Sequence, residues 1–169
     1  MRRSLTLMTL TIATAILACL MPAFSEAGAS SARRREKVIT LERTACFGTC
    51  PMYKLAIYSD GRVEYEGKQY VKKVGKATSR ISRAKLEDLV MQFTNIYYFN
   101  LPDTFQPGDK TCTQAATDMP SAITSLTWQG RSKQVTHYYG CFGPSKLEHL
   151  TNLEKKIDEA VNVKQWTGK

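Results

Sequence analysis

Cys46 and Cys50, four residues apart and followed by Pro51, are the pair in this 169-residue chain with the widest chemical range. Thiolates at that spacing form a bridge, exchange with an external dithiol, or take up a soft ion such as Cu(I), for which His137 would add an imidazole. Cys112 and Cys141 lie farther along, and these four cysteines allow three pairings. The expected arrangement is Cys46–Cys50 with Cys112–Cys141. Gly48 gives the first pair the turn it needs, and the second would pin a long unpatterned segment to the end of the last strand. In the chain-entropy picture the small ring contributes roughly 2 kcal/mol and the larger loop roughly 3.6 kcal/mol. The larger loop is thus the better stabiliser, and the small ring the more labile to reduction.

Other chemistry finds less support. Cys46-Phe47-Gly48-Thr49-Cys50-Pro51 matches the Cys-x-x-x-Cys-Pro pattern of copper chaperones with a thioredoxin fold, but there the motif opens a helix, whereas the residues after Pro51 alternate as a strand. Copper on another fold, held by Cys46, Cys50 and His137, stays open. The chain has two histidines. His149 falls off the apolar stripe of its helix, and His137 shares a strand face with Val135 and Tyr139, where a hydrogen-bonded sheet histidine is the expected role. No Gly-x-Ser-x-Gly elbow, phosphate-cradling glycine loop or His-Glu-x-x-His helix occurs. An enzyme would need His137, Asp118 and a tyrosine to converge, so no catalytic residue, metal site or cofactor is assigned.

The compartment decides what the cysteines mean. Arg2 and Arg3 precede an apolar or small stretch from Leu5 to Met21, then Pro22 and Ala27-Gly28-Ala29. That order predicts a secretory signal peptide over residues 1–29. Ile16-Leu17-Ala18-Cys19 resembles a lipobox, yet the apolar run continues past Cys19, which favours ordinary cleavage over lipidation. Arg2-Arg3 fits a twin-arginine signal poorly. Export to the periplasm or medium means an oxidising environment in which thiols pair. After cleavage no segment is long and apolar enough to span a bilayer.

Loss of residues 1–29 removes two positive charges and one negative, so the formal charge falls from +9 to +8. Arg33-Arg34-Arg35 sits in an unpatterned stretch, read as a flexible basic stub over residues 30–36. The single domain then runs over residues 37–169, long enough to bury one core. Positive charge favours an anionic partner. Export makes nucleic acid a poor candidate and an anionic envelope component or a protein a better one. Lys72, Lys73, Lys76, Arg80, Arg83 and Lys85 would supply such a face, if they do more than solvate it.

The elements that must position these residues follow from periodicity. Val38 to Arg43 and Met52 to Tyr58 alternate as half-buried strands. Ser59-Asp60-Gly61 predicts a three-residue hairpin loop with Gly61 left-handed, pairing Ile57 with Val63, Leu55 with Tyr65 and Lys54 with Glu66. A further strand is expected over residues 70–76. A helix begins after a Ser82 cap and buries Leu86, Leu89, Val90 and Phe93. Ala122 to Trp128 and Lys133 to Tyr139 form a second hairpin at Gln129-Gly130. A second helix follows Pro144, with Ser145 and Glu148 at capping-box spacing and Leu147, Leu150, Leu153, Ile157 and Val161 on its apolar face. Residues 100–120 lack periodicity, and a loop of that length is usually functional or tied down. The order is strands, helix, strands, helix. It predicts an α+β domain: an antiparallel sheet of about five to six strands with two helices packed on one face.

Thr44 to Tyr53, with its Cys-Phe-Gly-Thr-Cys-Pro core, and Tyr58 to Gly67, with the Asp-Gly hairpin, resemble the opening of a bacterial domain-of-unknown-function family, the one numbered 6438. Thr117 to Pro120, His137 to Gly140 and Leu153 to Asp158 look like its second half. The resemblance implies an exported or envelope-associated protein with no assigned activity, catalytic residues or cofactor. The combined expectation is a disulfide-stabilised binding or structural domain of the cell envelope, with thiol redox or copper handling through Cys46 and Cys50 as the alternative.

Overall fold

A computed structural model describes residues 35–143 and 145–169. The expected signal segment, the lipobox cysteine Cys19, residues 30–34 of the basic stub and Pro144 lie outside the described residues. The element order is β1 (Lys37–Arg43), β2 (Met52–Tyr58), β3 (Arg62–Gln69), β4 (Gly75–Arg80), α1 (Arg83–Asn95), β5 (Thr104–Phe105), β6 (Gln114–Ala115), β7 (Ser121–Trp128), β8 (Arg131–Tyr138), β9 (Cys141–Phe142), α2 (Lys146–Ala160) and α3 (Lys164–Thr167).

The fold is α+β, but the sheet is larger than expected and mixed rather than antiparallel. Seven strands run in the order β4-β3-β2-β1-β7-β8-β5, and β6 pairs with β9 in a separate ribbon. All neighbours in the large sheet are antiparallel except β5, which runs parallel to β8. β5 and β6 are two residues each, too short to show a period. Both fall inside the unpatterned 100–120 segment, which is therefore tied to the large sheet through β5 and to β9 through β6 rather than left as an open loop. A third, four-residue helix, α3, follows left-handed Asn162.

Alternation explains the inner face. Ile39 and Leu41, then Tyr53, Leu55 and Ile57, then Val63 and Tyr65 are all buried, and with Leu86, Leu89 and Phe93 of α1 and Leu150, Leu153 and Ile157 of α2 they form one core. Tyr98 is buried just beyond α1, and its hydroxyl donates to the Thr124 carbonyl at 2.9 Å, which keeps that phenol satisfied inside. Ser82 caps α1 by accepting from the Lys85 amide at 3.2 Å. The expected Ser145 box does not form. Ser145 already has helical backbone angles and its side chain caps nothing, because that role needs extended geometry.

The β2–β3 register is the expected one: Ile57 faces Val63, Leu55 faces Tyr65 and Lys54 faces Glu66. The Lys54 ammonium nevertheless turns to Glu42 on β1, 2.9 Å away, and Lys68 reaches the same carboxylate at 3.1 Å. The strand expected over 70–76 is displaced. Tyr70 has a positive φ of 54°, the chain turns there, and β4 starts at Gly75. β4 is an edge strand of short and charged residues, Lys76 to Arg80, so it carries no hydrophobic alternation to read.

The two hairpin glycines differ in a testable way. Gly61 has φ +80°, and a Cβ there would lie 2.4 Å from the Ile81 carbonyl oxygen, whereas Gly130 has φ +75° and open space around it. Gly61→Ala is expected to destabilise the domain by about 2–3 kcal/mol and Gly130→Ala by about 1 kcal/mol, as left-handed strain alone would give. Urea unfolding of both variants checks the difference.

Candidate functional site

Period-two alternation puts Arg43 on the same face as Ile39 and Leu41, so β1 ends by pointing a guanidinium toward the core side of the sheet. Tyr53 lies directly across from it on β2. On α2, Glu154 falls among Leu150, Leu153 and Ile157 and is fully buried, with Asp158 one turn later. His137 near the end of β8, buried at 2% exposure, and Tyr139 beyond it complete the cluster.

The contacts are specific. Arg43 Nη2 donates to Asp158 Oδ2 at 2.8 Å, and Nη1 reaches Glu154 Oε2 at 3.5 Å and the Tyr139 hydroxyl. Tyr53 Oη donates to Asp158 Oδ1 at 2.7 Å. Tyr139 Oη donates to Glu154 Oε2 at 2.5 Å, while His137 Nδ1 lies 3.0 Å from Oε1. Each of the four carboxylate oxygens thus has a partner. Phe105 and Tyr139 stand edge-on to the imidazole, with ring centroids 6.4 and 4.8 Å away.

Burial sets the electrostatics. It pushes the Tyr53 phenol far above its usual range, helped by the Asp158 charge, and does the same to Tyr139 beside Glu154. Asp158 is raised by burial against the opposing pull of Arg43. Burial works against the Arg43 charge as well, yet the Asp158 and Glu154 carboxylates more than restore it. Two carboxylates share one guanidinium, and the phenols stay protonated as donors. Chemically this is a brace joining β1, β2 and β8 to α2, in which every carboxylate oxygen is engaged.

The sequence-expected residues fall elsewhere or take other roles. Cys46 and Cys50 are paired with Cα atoms 5.8 Å apart, and Cys112 and Cys141 are paired at 5.3 Å. Both bridges sit at the end of the sheet where β1 leaves and β7 enters, since the Phe47 amide donates to Asp118 O and the Thr44 amide to Ser121 O. Phe47, in the small ring, is 88% exposed. His137 is engaged with Glu154, and among the described residues no group of three or more His, Cys, Asp or Glu is placed to hold a metal. The set Cys46, Cys50 and His137 is therefore not brought together. Asp118 is an exposed, left-handed turn residue whose carboxylate accepts from Thr117, apart from His137. His149 is exposed on α2. The expected basic face divides as well. Arg80 pairs with Asp60 and Arg83 with Glu87 near the Gly61 turn, while Lys72 and Lys73 sit at the opposite end of β3.

Arg43, Glu154, Asp158 and Tyr53 were not recognised as a group, although a signal was present. Two of the charged members occupy apolar-phase positions, Arg43 in the β1 alternation and Glu154 in the α2 stripe. An inward cation and an inward anion predict each other.

Two outcomes are expected. Arg43→Met leaves both acids buried without their cation and costs about 3–5 kcal/mol by chemical denaturation. Asp158 is raised on folding, so its favourable share is complete below the ordinary value of 3.8 and is lost as pH climbs through the raised folded value. Wild type should therefore lose stability relative to Asp158→Asn as pH rises from about 3 toward neutrality, measured by urea midpoints at each pH.

A family model described as "Domain of unknown function (DUF6438)" matches residues 37–161. No curated protein matches the chain.

Proposed function

This chain belongs to the DUF6438 family, a domain of unknown function, and from its own side chains we propose an exported, disulfide-stabilised binding domain of the bacterial cell envelope. The observation that carries this reading is the closed accounting of the Arg43 cluster. The most polar interior group spends every carboxylate oxygen on joining sheet to helix. The reading therefore puts function at the surface, while the cluster holds the scaffold and two bridges tie the loops at one end. The apolar N-terminal stretch and the paired cysteines support export, because bridges persist in oxidising compartments. An anionic envelope component is the partner that the positive balance favours.

One observation favours the alternative of thiol exchange or copper handling: the Cys46–Cys50 ring is presented at the surface, with exposed Phe47 inside it. Copper would need a third donor from outside the ring. The two readings separate by thiol titration under graded reductant, followed by Cu(I) uptake. The binding-domain reading expects both bridges to resist mild dithiol, and no Cu(I) retained. Opening of Cys46–Cys50 alone at mild potential, with metal uptake, transfers the assignment to the alternative. Intact mass of native exported material is expected to lack residues 1–29 and to gain two hydrogens per bridge on reduction. A retained leader, or a lipid on Cys19, would overturn the export route as stated.

A further inference from the structure

We propose that the corner made by the Tyr70–Val74 turn and α3 is a contact surface for an anionic lipid bilayer, with a phosphate headgroup seated in the adjoining cavity. The inference rests on the exported binding-domain reading and names its partner.

The turn is held by backbone, not by loose side chains. Its Lys72 amide donates to Thr167 O at 3.2 Å and its Lys73 amide to Trp166 O at 2.8 Å, and Trp166 stacks on Tyr65 of β3 with ring centroids 4.7 Å apart. A Cβ placed on Gly168 would lie 3.4 Å from that of Lys72, so the turn and the chain after α3 are in contact. Beside them lies a cavity of about 400 Å³, whose wall includes Pro51, Tyr53 and Val163 and whose lysines are Lys155, Lys164 and Lys169. The Lys169 ammonium donates to Thr49 O at 2.8 Å, which fixes it at the rim.

Charge points to the occupant. Lys72, Lys73, Lys155, Lys164 and Lys169 make no ion pair among the described residues. Two acids line the cavity, Asp158 and Glu159, and the Asp158 carboxylate is taken by Arg43 and Tyr53. The surplus is cationic. Two apolar side chains flank the lysines of the turn, Tyr70 at 52% and Val74 at 63% exposure. Lysines with an aromatic and an aliphatic residue on one ordered turn suit a bilayer surface, where ammonium groups meet phosphates and the apolar tips enter the headgroup layer. Each lysine near such a surface contributes about 1 kcal/mol, so several give measurable binding without insertion of a helix.

The test is sedimentation of the mature chain with vesicles of phosphatidylcholine alone or with phosphatidylglycerol added at roughly a third of the lipid. Retention is expected on the anionic vesicles only, falling with salt. The triple variant Lys72→Gln, Lys164→Gln, Lys169→Gln should lower partitioning roughly a hundredfold, at about fivefold per lysine. A control with equal charge loss, Lys85→Gln, Lys110→Gln, Lys146→Gln, should change it less than about threefold, and Val74→Asp should weaken retention with every lysine intact. Equal loss in the two triple variants overturns the corner while leaving a charge-driven binding domain. No retention of wild type on anionic vesicles overturns the lipid surface and leaves export and bridging to the mass measurement. Displacement by inorganic phosphate at constant ionic strength also overturns it, since it would show a soluble-anion site.

Discussion

One guanidinium shared between two carboxylates organises the core end of this domain. Arg43 reaches Asp158 and Glu154 on successive turns of α2, so the helix is held to the sheet in both rotation and height. Apolar packing alone leaves a helix freer to slide, because one leucine in a groove resembles the next. Burying such a group is not a gain in itself, since desolvation offsets much of the attraction. Its effect is to make one seating of α2 right and the alternatives costly. The phenols of Tyr53 and Tyr139 and the His137 imidazole complete the shells of both acids.

The two bridges complement that brace. Each closes a loop at the sheet end where β1 hands over to β2 and where β6 and β9 pair. The chain there is rich in Gly, Thr and Ala and offers little core of its own. Covalent closure replaces the missing apolar burial, and it lets Phe47 stand in solvent without unravelling the ring. The corner with the lysines is different in kind. Its backbone is secured by hydrogen bonds to α3, so an ordered frame carries its exposed side chains.

Much of the frame could be read from the chain, and the exceptions have physical causes. The β2–β3 register followed from Gly61, the residue suited to a left-handed bulge, together with clean alternation on both strands. β5 escaped because two residues make no period, and β4 because an edge strand of Lys, Thr, Ser and Arg buries too little to alternate. The cysteine pairs were legible because sequence spacing bears directly on bridging. Arg43 and Glu154 were visible as charges in apolar phase, but their meeting requires knowing that β1 passes under α2. The lysine corner is assembled from residues 72, 155, 164 and 169, and only tertiary structure brings such distant positions together.

The sheet margins carry a further implication. β4 lines one edge with Lys76 and Arg80, and β8, covered by β5 only at Thr136 and His137, presents exposed Arg131 at the start of the other. A second copy adding a strand at either margin would bring like charges together, which opposes open-ended growth of the sheet. The domain thereby carries its own protection against growing into fibres by strand addition.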